Sequence, residues 1–145
     1  MRRDQATLTE LARLGFASLS GVRAQLDELF DALPLDVDDL LPAFARAADP
    51  DQALRSLVGL ARSHPDAVSA VLGDGEQRVP LIRLLGASVG LADFFHRHPA
   101  ELQAFAAWNG GLPTRDDLVA DLLESVGAVD GFATTGDDEG YTKLR

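Results

Sequence analysis

Leu81-Ile82-Arg83-Leu84-Leu85-Gly86-Ala87-Ser88-Val89-Gly90-Leu91-Ala92-Asp93-Phe94-Phe95-His96-Arg97-His98-Pro99 is the stretch on which the reading of the fold turns. Leu81, Leu84 and Leu85 in its first half, and Leu91, Phe94 and Phe95 in its second, fall three and four residues apart. That is the period of one buried helix face. Gly86, Ala87, Ser88 and Gly90 interrupt the two halves. Glycine costs about 1 kcal/mol in a helix interior relative to alanine, so such a cluster marks a helix break or a close backbone crossing. The spacing therefore predicts two helices meeting near 86–88. Pro80 lies in the first turn or two of the first helix, Ser88 caps the second, and Pro99 follows its end. The plain reading of the stretch is helix packing without chemistry.

The same period recurs on either side. A helix is predicted over 7–16, capped by Thr7 or Thr9, with Leu8, Leu11 and Leu14 inward and Gly15 breaking its end. Ser18 or Ser20 opens a second, with Val22, Leu26, Leu29, Phe30 and Leu33 inward, and Pro34 stops it. Asp36 or Asp38 caps a third that carries Leu40, Leu41, Phe44 and Ala48, with Pro42 in its first turn. Asp49-Pro50 opens a fourth, whose apolar side is Ala53, Leu54, Leu57, Val58, Leu60 and Ala61. Ser63-His64-Pro65 repeats that start signal ahead of Val68, Val71 and Leu72. Gly73-Asp74-Gly75 reads as a helix–helix connection, because its flanks have helical period. His98-Pro99 repeats the proline start before a helix that buries Leu102, Phe105, Ala106 and Trp108, ended by Asn109-Gly110-Gly111. Thr114-Arg115-Asp116-Asp117 is a capping sequence. Leu118, Val119, Leu122, Leu123 and Val126 follow it at helical spacing, and Gly127 closes.

No segment alternates with period two. The expected fold is all-α, stacked helical hairpins or an irregular helical bundle with no sheet. The expected organisation is a helical domain over 1–127, an acidic flexible loop over 128–140, and the start of a further helix over 141–145.

The 145 residues are 46% hydrophobic and 25% charged, as in an ordinary globular domain. Aromatics are only 6%, so the core must be leucine, alanine and valine. The absence of cysteine excludes disulfides and thiolate metal sites. The formal net charge of −10 argues against a nucleic-acid partner and for partners with basic patches. From Arg115 onward eight acids face three bases, the pattern of a solvated acidic face. Met1-Arg2-Arg3-Asp4-Gln5 has no apolar run behind its charges, so no signal peptide is expected. No apolar run approaches the roughly 18 residues that span a bilayer, and the expected location is the cytoplasm. Lys143 is the only lysine among abundant alanine, arginine, glycine and aspartate, the bias of a high-GC bacterial genome.

Chemical motifs are scarce. There is no G-x-G-x-x-G and no phosphate-loop signature. Asp36, Asp38 and Asp39 lack the glycine and distal glutamate of a calcium loop, so they read as helix-start acids. His96 and His98, two apart on a helix, point to different faces. Ser88, Asp93 and His96 invite a triad reading, but a serine without a strained turn is ordinarily a cap. Of Phe94 and Phe95, one belongs to the core and the other is partly exposed, at a contact with the rest of a larger protein. No catalytic, cofactor-binding or metal-ligating residue is assigned in this chain.

Arg83-Leu84-Leu85-Gly86-Ala87-Ser88, then Leu91-Ala92-Asp93, then Arg97-His98-Pro99 resemble, in order, the N-terminal region of the bifunctional glutamine synthetase adenylyltransferase/adenylyl-removing enzymes. Asp49-Pro50-Asp51-Gln52-Ala53-Leu54 and Tyr141-Thr142-Lys143-Leu144-Arg145 also resemble that family, and the likeness extends over about 8–145. In the family, nucleotidyl transfer rests on a glycine-rich turn followed by serine-aspartate-x-aspartate, whose carboxylates hold two magnesium ions that bind ATP or the adenylyl group. No such signature occurs here. Asp36-Val37-Asp38 has the bare carboxylate spacing but lacks the glycines and the serine. The resemblance implies a non-catalytic, leading helical part of the adenylyl-removing half. Magnesium and ATP then belong to a longer parent whose partners are glutamine synthetase and a PII-type signal protein. The alternative from composition alone is a stand-alone acidic helical interaction module.

Overall fold

The protein, described by a computed structural model over residues 7–33, 35–73, 75–107 and 111–129 with the side chains of Val37 and Asp38 excepted, is all-α. Its helices are α1 (Leu8–Arg13), α2 (Leu19–Ala32), α3 (Val37–Phe44), α4 (Pro50–Ser63), α5 (Pro65–Gly73), α6 (Gly75–Ala87), α7 (Val89–Arg97), α8 (Ala100–Ala107) and α9 (Arg115–Ser125). Among the described residues no strand occurs, and no single helix is long and apolar enough to cross a membrane.

The helix at the centre is α4, which packs against α2, α3, α5, α6 and α7. Its start is written locally. The Asp49 carboxylate accepts the Gln52 amide at 2.9 Å, and Pro50 takes the first helical position, where no donor is missed. Ala53, Leu54, Leu57, Val58, Leu60 and Ala61 are all buried. Such a broad apolar arc suits a helix enclosed on several sides rather than laid on a surface. Each buried leucine contributes about 2 kcal/mol of transfer free energy.

Two helix ends follow from single glycines. Gly15 has φ +94° after α1. The Gly15 amide donates to the Ala12 carbonyl and the Phe16 amide to that of Leu11, closing the helix and turning Phe16 into the core. Gly127, φ +58°, repeats this after α9, with the Gly127 amide on the Glu124 carbonyl and the Ala128 amide on that of Leu123. Both helices open on a capping box, Thr7 with Glu10 and Thr114 with Asp117.

Some expectations are corrected. Leu8 is 49% exposed, so α1 buries Leu11 alone and leaves Leu14 half-buried; six residues are too few for a two-turn stripe. Pro42 sits at the sixth position of α3, not in its first turn. The interior proline costs about 3 kcal/mol, and the burial of Leu40, Leu41 and Phe44 outweighs it. Ala48 lies outside α3 and is exposed. Ser18 stands at the cap position of α2 without a side-chain bond.

The chain divides into two compact units, Met1–Trp108 and Asn109–Arg145. The first holds α1 to α8 and the continuous core. The second holds α9. The helix stop read at Pro34, the burial of Trp108, the loop over 130–140 and the helix start over 141–145 lie outside the described residues.

Candidate functional site

The corner between α6 and α7 turns the chain by 114°. A Cβ added at Gly86 would stand 2.9 Å from both the Ala47 Cβ and the Asp49 carbonyl oxygen, so only glycine admits this approach. The Ser88 hydroxyl accepts the Leu91 amide at 3.2 Å and caps α7. The Gln52 side-chain amide of α4 donates to the Leu85 carbonyl at 2.9 Å, filling an acceptor that the end of α6 leaves open. Arg78 does the same for α5. Its Nε donates to the Leu72 carbonyl at 2.6 Å, while its guanidinium meets Asp39 at 3.3 Å. Asp51 accepts the amides of Ala17 and Ser18 at 2.8 and 3.2 Å and so ties the start of α2 to α4.

The two His-Pro corners are pinned together. His64 Nε2 lies 3.0 Å from the His96 carbonyl oxygen, and the two imidazoles are 5.6 Å apart. His98 instead lies against Phe94, with ring centres 4.8 Å apart. His96 and His98 thus diverge, as their spacing demands. Ser88 and His96 stand at opposite ends of α7, about 12 Å apart along its axis, so Ser88, Asp93 and His96 do not converge. Asp39 is committed to Arg78. Among the described residues no three His, Cys, Asp or Glu side chains gather to hold a metal ion, so the donors described do not make up a two-magnesium carboxylate centre.

The shifted ionisations are structural as well. The Thr7 amide and hydroxyl hold the Glu10 carboxyl below its usual range, and the Thr114 hydroxyl and amide do so for Asp117. The Glu28 carboxylate, hydrogen-bonded to Arg62, raises that guanidinium.

Some of the exposed surface is apolar. Phe95 is buried against Phe105, with ring centres 6.1 Å apart, while Phe94 is 36% and Leu91 42% exposed. One phenylalanine is thus in the core and the other partly exposed, as expected, whereas Leu91 departs from the buried face its spacing predicts. A nine-residue helix docked through Ala92 and Phe95 cannot bury a second stripe on another face. In α9, Leu118, Val119, Leu122 and Leu123 are all exposed, and no residue of the helix is buried. A separate open groove of about 600 Å³ lies in the first unit between the turn after α3, α6 and α8. Its floor includes Ala47, Pro80, Leu84 and Phe105, and Arg46 and Arg83 stand at its edge. Sequence reasoning missed this groove, because its residues come from three separated segments.

The chain is 48% identical over all 145 residues to the bifunctional glutamine synthetase adenylyltransferase/adenylyl-removing enzyme of Leifsonia xyli subsp. xyli (strain CTCB07), of which it spans 14%. It is 34% identical over 112 residues, 73% of the chain and 11% of the relative, to the protein of that name in Streptomyces coelicolor. With that of Mycobacterium avium it shares 40% over 87 residues, 57% of the chain and 8% of the relative. Its homologues are glutamine synthetase adenylyltransferases. No protein-family model matches the chain, and no solved structure matches it significantly. Two of the stretches that carry the adenylyltransferase resemblance meet in space. Gly86 abuts Asp49 and Ala53, and Gln52 bonds to Leu85, so the Asp49-to-Leu54 and Arg83-to-Ser88 segments are one contact. Tyr141 to Arg145 lie outside the described residues.

Proposed function

We propose that this chain is the N-terminal, non-catalytic helical part of the adenylyl-removing half of a bifunctional enzyme. That enzyme adenylylates glutamine synthetase and removes the AMP again, in the cytoplasm, in the control of nitrogen assimilation. The supporting observation is the 48% identity along the whole chain to a segment of a far longer enzyme bearing that name. It weighs for this reading over a stand-alone interaction module. The helical architecture agrees with a supporting role: carboxylates such as Asp39, Asp51 and Asp117 hold other parts of the chain rather than a site. Magnesium, ATP and the response to a PII-type signal protein belong, in this reading, to the rest of the parent.

Two measurements test it. Reading the gene beyond Arg145 should reveal an open frame that encodes the glycine-rich turn with serine-aspartate-x-aspartate; a frame lacking it overturns the assignment. Residues 1–145 incubated with adenylylated glutamine synthetase and phosphate should release no ADP. Sustained turnover would show a catalytic centre within this span.

A further inference from the structure

We propose that the groove edged by Arg46 and Arg83 is a docking site for an acidic amphipathic helical segment of a partner polypeptide. The chemistry of the groove selects that occupant. Its floor of Ala47, Pro80, Leu84 and Phe105 is apolar, and among the described residues no acidic side chain lines it. None of these side chains is fully buried, so the site is an open trough. Small-molecule pockets instead bury most of their ligand, whereas an open apolar trough matches the helix-in-groove mode of peptide recognition.

The two arginines fix the sign of the partner's charge. Neither Arg46 nor Arg83 makes a side-chain hydrogen bond or ion pair among the described residues. In a chain of net charge −10, two guanidiniums flanking one apolar trough, with no carboxylate lining it among the described residues, form a local basic patch against the overall field. Guanidinium groups bind carboxylates in a planar, two-point manner. An occupant with leucines at three- and four-residue spacing and glutamates beside them satisfies both floor and edge.

The stretch 83–88 also divides cleanly. Leu85, Gly86 and Ser88 are consumed by packing, close approach and capping. Arg83 and Ala87 are exposed, Leu84 packs on the core with one side only, and all three line the groove. The proposal does not depend on the adenylyl-removing assignment, and its test does not read enzymatic activity.

The test uses the full 145-residue chain and a fluorescein-labelled 14-residue helical peptide with leucine on one face and glutamate on its flanks, read by fluorescence anisotropy. The glutamate peptide should bind at least tenfold more tightly than the same peptide with lysine in place of glutamate. R46E/R83E should weaken its binding at least tenfold, with an unchanged circular dichroism spectrum. R55E, the same charge change outside the groove, should alter it less than twofold. Equal binding of the two peptides, absence of binding by both, or an equal effect of R55E overturns the proposal.

Discussion

Gly86 shows how one missing carbon positions two helices. Because a Cβ there would fall 2.9 Å from the Asp49 carbonyl oxygen, a backbone atom that cannot rotate aside, α6 must retreat to admit any side chain. Gly86→Ala should cost about 1–3 kcal/mol in chemical denaturation, the range of overpacked cores; a change under 0.5 kcal/mol would show that the approach is looser than described. Gln52 works beside it from the other direction. Gln52→Ala removes the side-chain donor to the Leu85 carbonyl and should cost about 1–2 kcal/mol. The two substitutions act on one contact, so their effects should combine non-additively in a double-mutant cycle.

At the scale of the element, capping accounts for where helices begin better than apolar pattern does. The second unit's helix, α9, buries none of its residues, so its ends must define it. Thr114→Ala removes the hydroxyl half of the capping box, leaving the residue-114 backbone amide on the Asp117 carboxylate, and should lower helix stability by about 1 kcal/mol, seen as loss of amide protection over 115–118. The box also gives α9 a pH dependence of known sign. The Asp117 carboxyl is held below its usual range by Thr114. Its contribution is complete above the unfolded carboxyl pKa and is lost as pH falls below about 4 through the lower, folded value. A titration of the Thr114 amide shift should therefore report a midpoint under that of an unstructured aspartate. A midpoint at or above it would mean that the hydrogen bonds do not favour the ionised form.

In the whole molecule, stability centres on α4, because α2, α3, α5, α6 and α7 all pack on it. Leu54 is fully buried, and Leu54→Ala should cost about 2–5 kcal/mol by cavity formation. That would lower the denaturation midpoint of the first unit sharply, whereas a substitution in exposed Leu112 should barely move it. The sequence by itself determined several helix ends: Asp49-Pro50, Ser88, Thr114 and Gly15 act on amides within a few residues, and such short-range bonds need no tertiary context. It likewise determined that His96 and His98 face apart, since their spacing already parts them. Only the tertiary structure decided which apolar residues find cover. Leu81, Leu85, Phe95 and Leu102 are buried, while Leu91, Phe94 and the leucines of α9, equally periodic, are not. It alone also assembled Arg46, Leu84 and Phe105 into one groove. The physical reason is that helical period states that a helix has an apolar face, whereas burial depends on which neighbours arrive, and those come from segments tens of residues away.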